Sequence, residues 1–219
     1  MTQLVRPEGT SFAELLAMPG VEEIMERRST VGFLAFHGGS LERGTDIIAS
    51  LAARAAGASY YGVVQPPDIR WHLPSTQVTP AASPVLREFL DHVEVAVAVH
   101  GFGRVGHWAS LLLGGGNRAL ASHVARCLRP ALPDYDIVTD LDRIPAELRG
   151  LDPRNPVNRP RGSGVQLELP PRVRGNTPNC PPADAAGLVP DSRALVEALA
   201  AAASSWRGWA DAEPGSVDC

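Results

Sequence analysis

Continuous apolar runs alternate along the chain with amphipathic segments, and each kind of run predicts one kind of element. Apolar runs predict buried strands over 31–36, 60–64, 93–99, 136–139 and 165–169. Apolar residues at helical spacing predict helices over 11–18, 45–56, 84–92, 117–128 and 192–206. This alternation indicates an α/β fold: a single domain with a mainly parallel or mixed central sheet flanked by helices.

The domain boundaries follow from where these patterns begin and end. Residues 1–30 are predicted to form an N-terminal helical extension, in which Ser11 is the N-cap and Glu14 has capping-box spacing. Residues 31–208 form the main domain, and 209–219 a flexible polar tail. The 219 residues, 44% hydrophobic and 20% charged, suffice for one buried core.

The charge pattern excludes some partners. The net charge is -4, and the 20 basic residues are all arginine, without the basic stripe of a nucleic-acid binder. No apolar stretch approaches the length of a membrane span, and the N-terminal residues are polar. We therefore expect a cytoplasmic protein, or one released by lysis, with no nucleic-acid or membrane partner. Nothing in the pattern indicates an oligomeric state.

Two of the predicted strands end in His-Gly. His37 follows the run 31–36, and His100 follows the run 93–99. Neighbouring parallel strands end at one sheet edge, roughly 5 Å apart, and ligands of α/β proteins bind there. Glu42 follows His37 across a Gly-Gly turn and can return to the same point. Two imidazoles and one carboxylate are the open ligand set of a catalytic zinc, so we predict Zn²⁺ at His37, Glu42 and His100.

A carboxylate in another apolar strand is a candidate catalytic group. Alternation over 164–169 places Gln166 and Glu168 opposite the three apolar side chains of that strand. A glutamate there is costly unless it is paired or functional. Beside a zinc site, Glu168 can accept a proton from water as general base and pass it to a leaving nitrogen. The alternative is an ion pair with Arg172 or Arg174.

Other polar residues are candidates for contacts with substrate. Asn158 and Arg159 lie just before the strand of Glu168, and an arginine fork beside an amide suits a substrate carboxylate. The alternative for this pair is a solvated loop. His72 and His107 could also line the site, whereas His92 and His123 lie in helical patterns.

The segments HGGSLERGTDIIA, VHGFGR, GGGNRALA and NPVNRPRGSGVQLEL, in this order, resemble the phage-type poly-γ-glutamate hydrolase family, a compact relative of the zinc carboxypeptidases. The resemblance covers 31–174. It implies a zinc held by His37, Glu42 and His100, with Glu168 as the catalytic carboxylate. Resemblance to the wider carboxypeptidase group implies that the Asn158-Arg159 pair binds a substrate carboxylate. The chain departs from the family at Gln77, where a histidine usually follows Ser-Thr. The segment 71–84 is therefore where the substrate preference could differ from that of the family.

The resemblance implies hydrolysis of γ-linked glutamyl amides, with a small or polymeric γ-glutamyl or peptide substrate. Two alternatives stay open. A zinc amidase or peptidase that acts on cell-wall peptides would use a similar ligand set. A non-catalytic binding module would keep the fold, and Gln77 motivates that reading. Glu168 argues against it, because a binder has no use for a buried proton acceptor.

Overall fold

The computed structural model describes residues 9–208. These residues contain five α-helices and seven strands. In chain order they are α1 Phe12–Leu16, β1 Glu22–Glu26, β2 Val31–Gly39, α2 Thr45–Ala56, β3 Ser59–Gln65, α3 Pro84–His92, β4 Val95–Gly101, β5 Ser110–Leu113, α4 Arg118–Ala131, β6 Asp136–Val138, β7 Gly164–Leu169 and α5 Pro190–Ser205. Short 3-10 helices cover Ser75–Gln77, Leu141–Arg143, Ala146–Leu148 and Pro156–Asn158.

The seven strands form one mixed sheet in the order β1-β3-β2-β4-β7-β5-β6. Strands β3, β2, β4 and β7 run parallel, as do β5 and β6. The pairs β1–β3 and β5–β7 are antiparallel. The predicted α/β class with a mixed sheet is therefore confirmed.

Apolar side chains on both faces of the sheet explain why the central strands read as continuous apolar runs. In β2, Phe33 and Ala35 face the layer of α2, α4 and α5, while Leu34 and Phe36 face the layer of α1 and α3. A parallel strand buried on both sides needs apolar residues at every position. No helix among residues 9–208 is both long and apolar enough to cross a membrane.

The end of β2 is shaped by a bulge and a tight turn. Between Ala35 and Gly38 the register with β3 shifts by one residue, which places His37 in the irregular part of the strand. Gly39 has φ 71°, and a Cβ there would lie 2.2 Å from the carbonyl oxygen of Gln65. Only glycine tolerates both conditions. The chain then turns back, and the Glu42 N–H donates to the His37 carbonyl at 2.9 Å.

Most predicted elements are found near their predicted positions. Helices α2 and α3 have the predicted bounds, and α1 begins with the predicted capping box between Ser11 and Glu14. Two strands were not predicted. Strand β1 contains three glutamates and pairs on one side only, so it lacks the apolar signal of the inner strands. Strand β5 has only four residues.

The extension predicted for 1–30 thus contributes a strand of the sheet as well as a helix, within its described part. Phe12 of α1 is buried in the apolar layer that α1 and α3 form against the sheet. The tail predicted for 209–219 lies outside the described residues.

Candidate metal centre

The carboxyl ends of two neighbouring parallel strands bring two histidines together. His37 lies near the end of β2 and His100 near the end of β4, and their ring centroids are 5.1 Å apart. Glu42 returns from the turn after β2. One ligand atom from each of the three residues lies within 4.8 Å of the other two. The three predicted ligands therefore converge on one point.

The carboxylate of Glu42 lies between the two imidazoles. Its Oε1 is 2.8 Å from His37 Nδ1, and its Oε2 is 3.5 Å from His100 Nδ1. The Gly101 N–H donates to Glu42 Oε2 at 2.8 Å, which fixes the orientation of the carboxylate. Both histidines are buried, with 2% and 4% of their surface exposed.

The hydrogen bonds around the two rings fit a cation. His37 Nε2 lies 2.8 Å from the Leu73 carbonyl oxygen, which can only accept, so Nε2 carries the proton. In the neutral ring, Nδ1 then presents a lone pair toward the Glu42 carboxylate. A second-sphere bond from the distal nitrogen to a carbonyl is typical of metal-binding histidines. His100 Nε2 is buried and has no hydrogen-bond partner within residues 9–208. The residues therefore fit a divalent metal ion.

The electrostatics couple these groups closely. In the metal-free site burial by itself raises the pKa of Glu42, but the charged forms of His37 and His100, which can donate to its carboxylate, outweigh burial and lower that pKa below its ordinary value. Burial by itself lowers the pKa of His100, but Glu42, with a contribution from Glu168, raises it above its ordinary value. A metal ion and a proton would compete for the same electron pairs.

Glu168 lies beside this centre on the next strand. It is paired with His100 in the parallel register of β4 and β7, and only 3% of its surface is exposed. Burial is the main reason that its pKa is raised. Within the described chain it forms no ion pair with Arg172 or Arg174, so the ion-pair alternative is not supported.

A buried amide chain holds Glu168. Gln166 Nε2 donates to Glu168 Oε1 at 2.8 Å, and Asn155 Nδ2 donates to Gln166 Oε1 at 2.7 Å. Gly150 has φ 61°, and a Cβ there would lie 2.4 Å from Gln166 Oε1, so the loop passes close to the amide. Sequence reasoning missed Asn155 and gave Gln166 no role. The signal for Gln166 was its shared strand face with Glu168.

The metal centre and Glu168 open into one cavity of about 520 Å³. Loops after β2, β3 and β4, together with the segment before β7, form its walls. The lining residues are His37, Glu42, His72, Pro74, Ser75, Thr76, His100, Gly101, Phe102, Ala146, Glu147, Leu148, Gly150, Leu151, Asp152, Asn155, Gln166 and Glu168. Access from solvent thus reaches both the metal ligands and the candidate base.

His72 and His107, which were predicted to be able to line the site, have different positions. His72 lines the cavity, and its ring centroid is 4.8 Å from that of His37. His107 contacts Phe102 at a centroid distance of 6.2 Å and is not among the residues that line the cavity. The structure brings His72, but not His107, to the metal centre.

Asn158 and Arg159 do not line the cavity either. Asn158 Nδ2 donates to the carbonyls of Gly150 and Asp152 at 2.7 and 3.0 Å, so its amide braces the loop. Arg159 is exposed in the segment before β7 begins. The structure does not bring the pair to the metal centre, and its role in carboxylate binding stays a prediction.

The fold is carboxypeptidase-like, and its cavity contains three residues that could hold a metal ion. The sequence profile of the poly-gamma-glutamate hydrolase family matches residues 10–177, and the chain belongs to this family. No curated protein matches the chain.

Solved structures show the same fold. A bacteriophage poly-gamma-glutamate hydrolase superposes with a TM-score of 0.68 at 22% identity, over 83% of this chain and 87% of that chain. The zinc-free apo form of YNDL superposes with a TM-score of 0.57 at 22% identity, over 68% of this chain and 71% of that chain. A carboxypeptidase-like protein from Burkholderia mallei superposes with a TM-score of 0.50 at 13% identity, over 86% of this chain and 64% of that chain.

Proposed function

We propose that this protein is a zinc-dependent hydrolase that cleaves the γ-glutamyl amide bonds of poly-γ-glutamate. The observation that carries the proposal is the placement of Glu168, a buried carboxylate paired across β4 and β7 with His100, in the cavity of the candidate metal centre. Membership of the family supports the substrate class.

In this proposal His37, Glu42 and His100 hold the zinc. A bound zinc supplies Lewis acidity at the scissile carbonyl and lowers the pKa of a water molecule to roughly 7. Zinc suits this site because two imidazoles and a carboxylate leave a coordination position open. The hydrogen bond from His37 to the Leu73 carbonyl fixes the ring so that Nδ1 faces Glu42.

Glu168 moves the proton. Its Oε1 accepts a hydrogen bond from Gln166, and its second carboxylate oxygen has no hydrogen bond within residues 9–208. That second oxygen accepts a proton from the attacking water and delivers it to the leaving nitrogen, which departs as an amine. The raised pKa of Glu168 suits it to both steps, because a stronger base accepts the proton more readily and a carboxylic acid can then give it up.

The test is the release of α-amino groups from poly-γ-glutamate by the purified, zinc-supplemented protein. We expect new amines and a falling polymer length, with α-linked polyglutamate resistant. Cell-wall peptides assayed in parallel separate the alternative amidase: cleavage of wall peptides but not of the polymer would replace the proposed substrate. Binding of the polymer without cleavage would support a non-catalytic module.

The part of Asn158 and Arg159 in carboxylate binding is also a proposal. Asn158 has donated both amide hydrogens to loop carbonyls, so Arg159 is the member whose side chain is available. Arg159→Ala tests it. A KM for the polymer that rises severalfold with kcat unchanged would support the role, and an unchanged KM would remove it.

A further inference from the structure

A second cavity lies at the same edge of the sheet as the metal centre. Its volume is about 720 Å³, and its walls include Gly39 and Ser40 from the turn after β2 and Gln65 from the end of β3. Two arginines, Arg43 and Arg70, also line it. Arg43 directly follows the candidate metal ligand Glu42 in the chain.

These two arginines differ from most others in the protein. Among the arginines of residues 9–208, most guanidinium groups are engaged by a carboxylate, a carbonyl or an imidazole. The guanidinium groups without any hydrogen bond or ion pair in that part of the chain belong to Arg43, Arg70, Arg159 and Arg161. Two of these four line the same cavity. A polyanion could therefore bind the guanidinium groups of Arg43 and Arg70 without breaking an existing hydrogen bond or ion pair of either arginine.

The segment 69–74 connects the two cavities. Ile69, Trp71 and Leu73 are buried, whereas the residues between them are exposed. This alternation is typical of extended chain, in which every second side chain lies on one side at a spacing of roughly 7 Å. Arg70 lines the second cavity, and His72, two residues later, lines the metal cavity.

The connecting segment is held firmly in place. The Trp71 N–H donates to Gln65 Oε1 at 2.8 Å, and Gln65 Nε2 donates to the Trp71 carbonyl at 3.0 Å. Ser40 Oγ donates to the Ile69 carbonyl, and the Leu73 carbonyl accepts from His37. The position of Arg70 relative to the metal centre is therefore set by the fold.

The walls of the metal cavity offer a polyanion no free guanidinium group. No arginine of residues 9–208 lines this cavity, and its two rim carboxylates, Glu147 and Asp152, are already paired with Arg104 and Arg154. In poly-γ-glutamate, five backbone bonds separate successive units, so carboxylates recur at roughly 6 Å. This repeat is close to the spacing between Arg70 and His72 along the extended segment.

We propose that Arg43 and Arg70 form a subsite for the carboxylate of a γ-linked glutamyl unit beyond the scissile bond. The proposal rests on the proposed function and specifies the direction in which the polymer leaves the metal centre. Glu22 is the carboxylate that also lines this cavity, so the two guanidinium groups leave it with net positive charge. Each arginine can bind a carboxylate through two parallel N–H groups.

The test compares Arg43→Ala/Arg70→Ala with a matched control, Arg161→Ala. Arg161 is also an exposed arginine without a partner in the described chain. It lies beside the start of β4, away from the end of β4 that carries His100, because the following Gly162 N–H donates to the Glu94 carbonyl. For the double variant we expect KM for long poly-γ-glutamate to rise about tenfold, with kcat within twofold. The charge-reversed Arg70→Glu should raise KM further, and the salt dependence of KM should weaken in both.

A binding measurement separates this subsite from the proposed function. Poly-γ-glutamate is titrated into the zinc-loaded Glu168→Gln variant, with and without the two arginine substitutions, and heat is recorded by calorimetry. Weaker binding with the arginine substitutions, beside an unchanged Arg161→Ala control, supports the subsite even if the wild-type protein cleaves no polymer. Equal affinity in all variants, or no binding in any, overturns it.

Discussion

Gln166 Nε2 lies 2.8 Å from Glu168 Oε1, and this hydrogen bond fixes which oxygen of the carboxylate faces away from the strand amide. Gln166 Nε2 also donates to the Leu148 carbonyl at 3.3 Å, while its Oε1 accepts from Asn155. Since a carbonyl only accepts, the amide cannot be flipped without losing these bonds. The base is thus oriented by a residue on its own strand.

Gln166→Met should test this orientation, because methionine keeps the volume but has no N–H donor. We expect kcat to fall about tenfold to a hundredfold, since a small misplacement of a catalytic group has effects of that order. KM and zinc content should change little. The measurement is steady-state kinetics together with metal analysis of the same samples. An unchanged kcat would mean that the orientation of Glu168 does not depend on the hydrogen bond from Gln166.

Glu168→Gln should remove almost all turnover while zinc is retained. The glutamine carbonyl can still accept from Gln166, so the local structure is kept, but the proton acceptor is lost. General-base catalysis contributes about 10²- to 10⁴-fold, and we expect a loss in that range. His37→Ala is the comparison, because it should lose the metal as well as the activity. Turnover within a fewfold of wild type in the glutamine variant would refute the assigned base.

Gly39→Ala should destabilise the protein more than Gly57→Ala. Both glycines have positive φ, 71° and 63°, so both substitutions carry the left-handed backbone penalty of roughly 1 kcal/mol. A Cβ at Gly39 would also lie 2.2 Å from the Gln65 carbonyl oxygen, whereas at Gly57 nothing lies within 4 Å. Free energies of unfolding from denaturant titrations compare the two. Equal decreases in the free energy of unfolding for the two variants would contradict the close approach of β2 and β3 at this turn.

Zinc should stabilise the protein more at pH 8 than at pH 6. In the metal-free protein, the raised pKa of His100 stabilises the fold fully when the pH is below the ordinary pKa of histidine, 6.5. This stabilisation is lost as the pH rises through the raised pKa of His100. The lowered pKa of Glu42 contributes stability above its ordinary value of 4.5, and this part is lost only in acid. Zinc needs His100 without its proton, so its binding strengthens as pH rises.

Thermal unfolding with and without zinc, at pH values from 6 to 8, measures this effect. The Tm difference should increase with pH in the wild-type protein and should be absent in His100→Ala. A zinc-dependent Tm shift that is the same at every pH would show that no proton leaves His100 when the metal binds.

The sequence was sufficient to predict the central strands and the convergence of His37, Glu42 and His100, because both depend on local signals. The apolar runs before His37 and His100 end abruptly, and parallel strands place their ends side by side. The amide chain was not predictable, because Asn155 reaches Gln166 through a loop whose path depends on packing. The same limitation applies to Asn158, whose local sequence gave no sign that its amide would brace that loop.

The most direct test of the account is the zinc content of the purified protein and of its His100→Ala variant, measured by elemental analysis after incubation with zinc and removal of the excess. We predict close to one zinc ion per chain in the wild-type protein and its loss in the variant. No metal in either protein, or equal zinc in both, would contradict the metal centre on which the proposed hydrolysis depends.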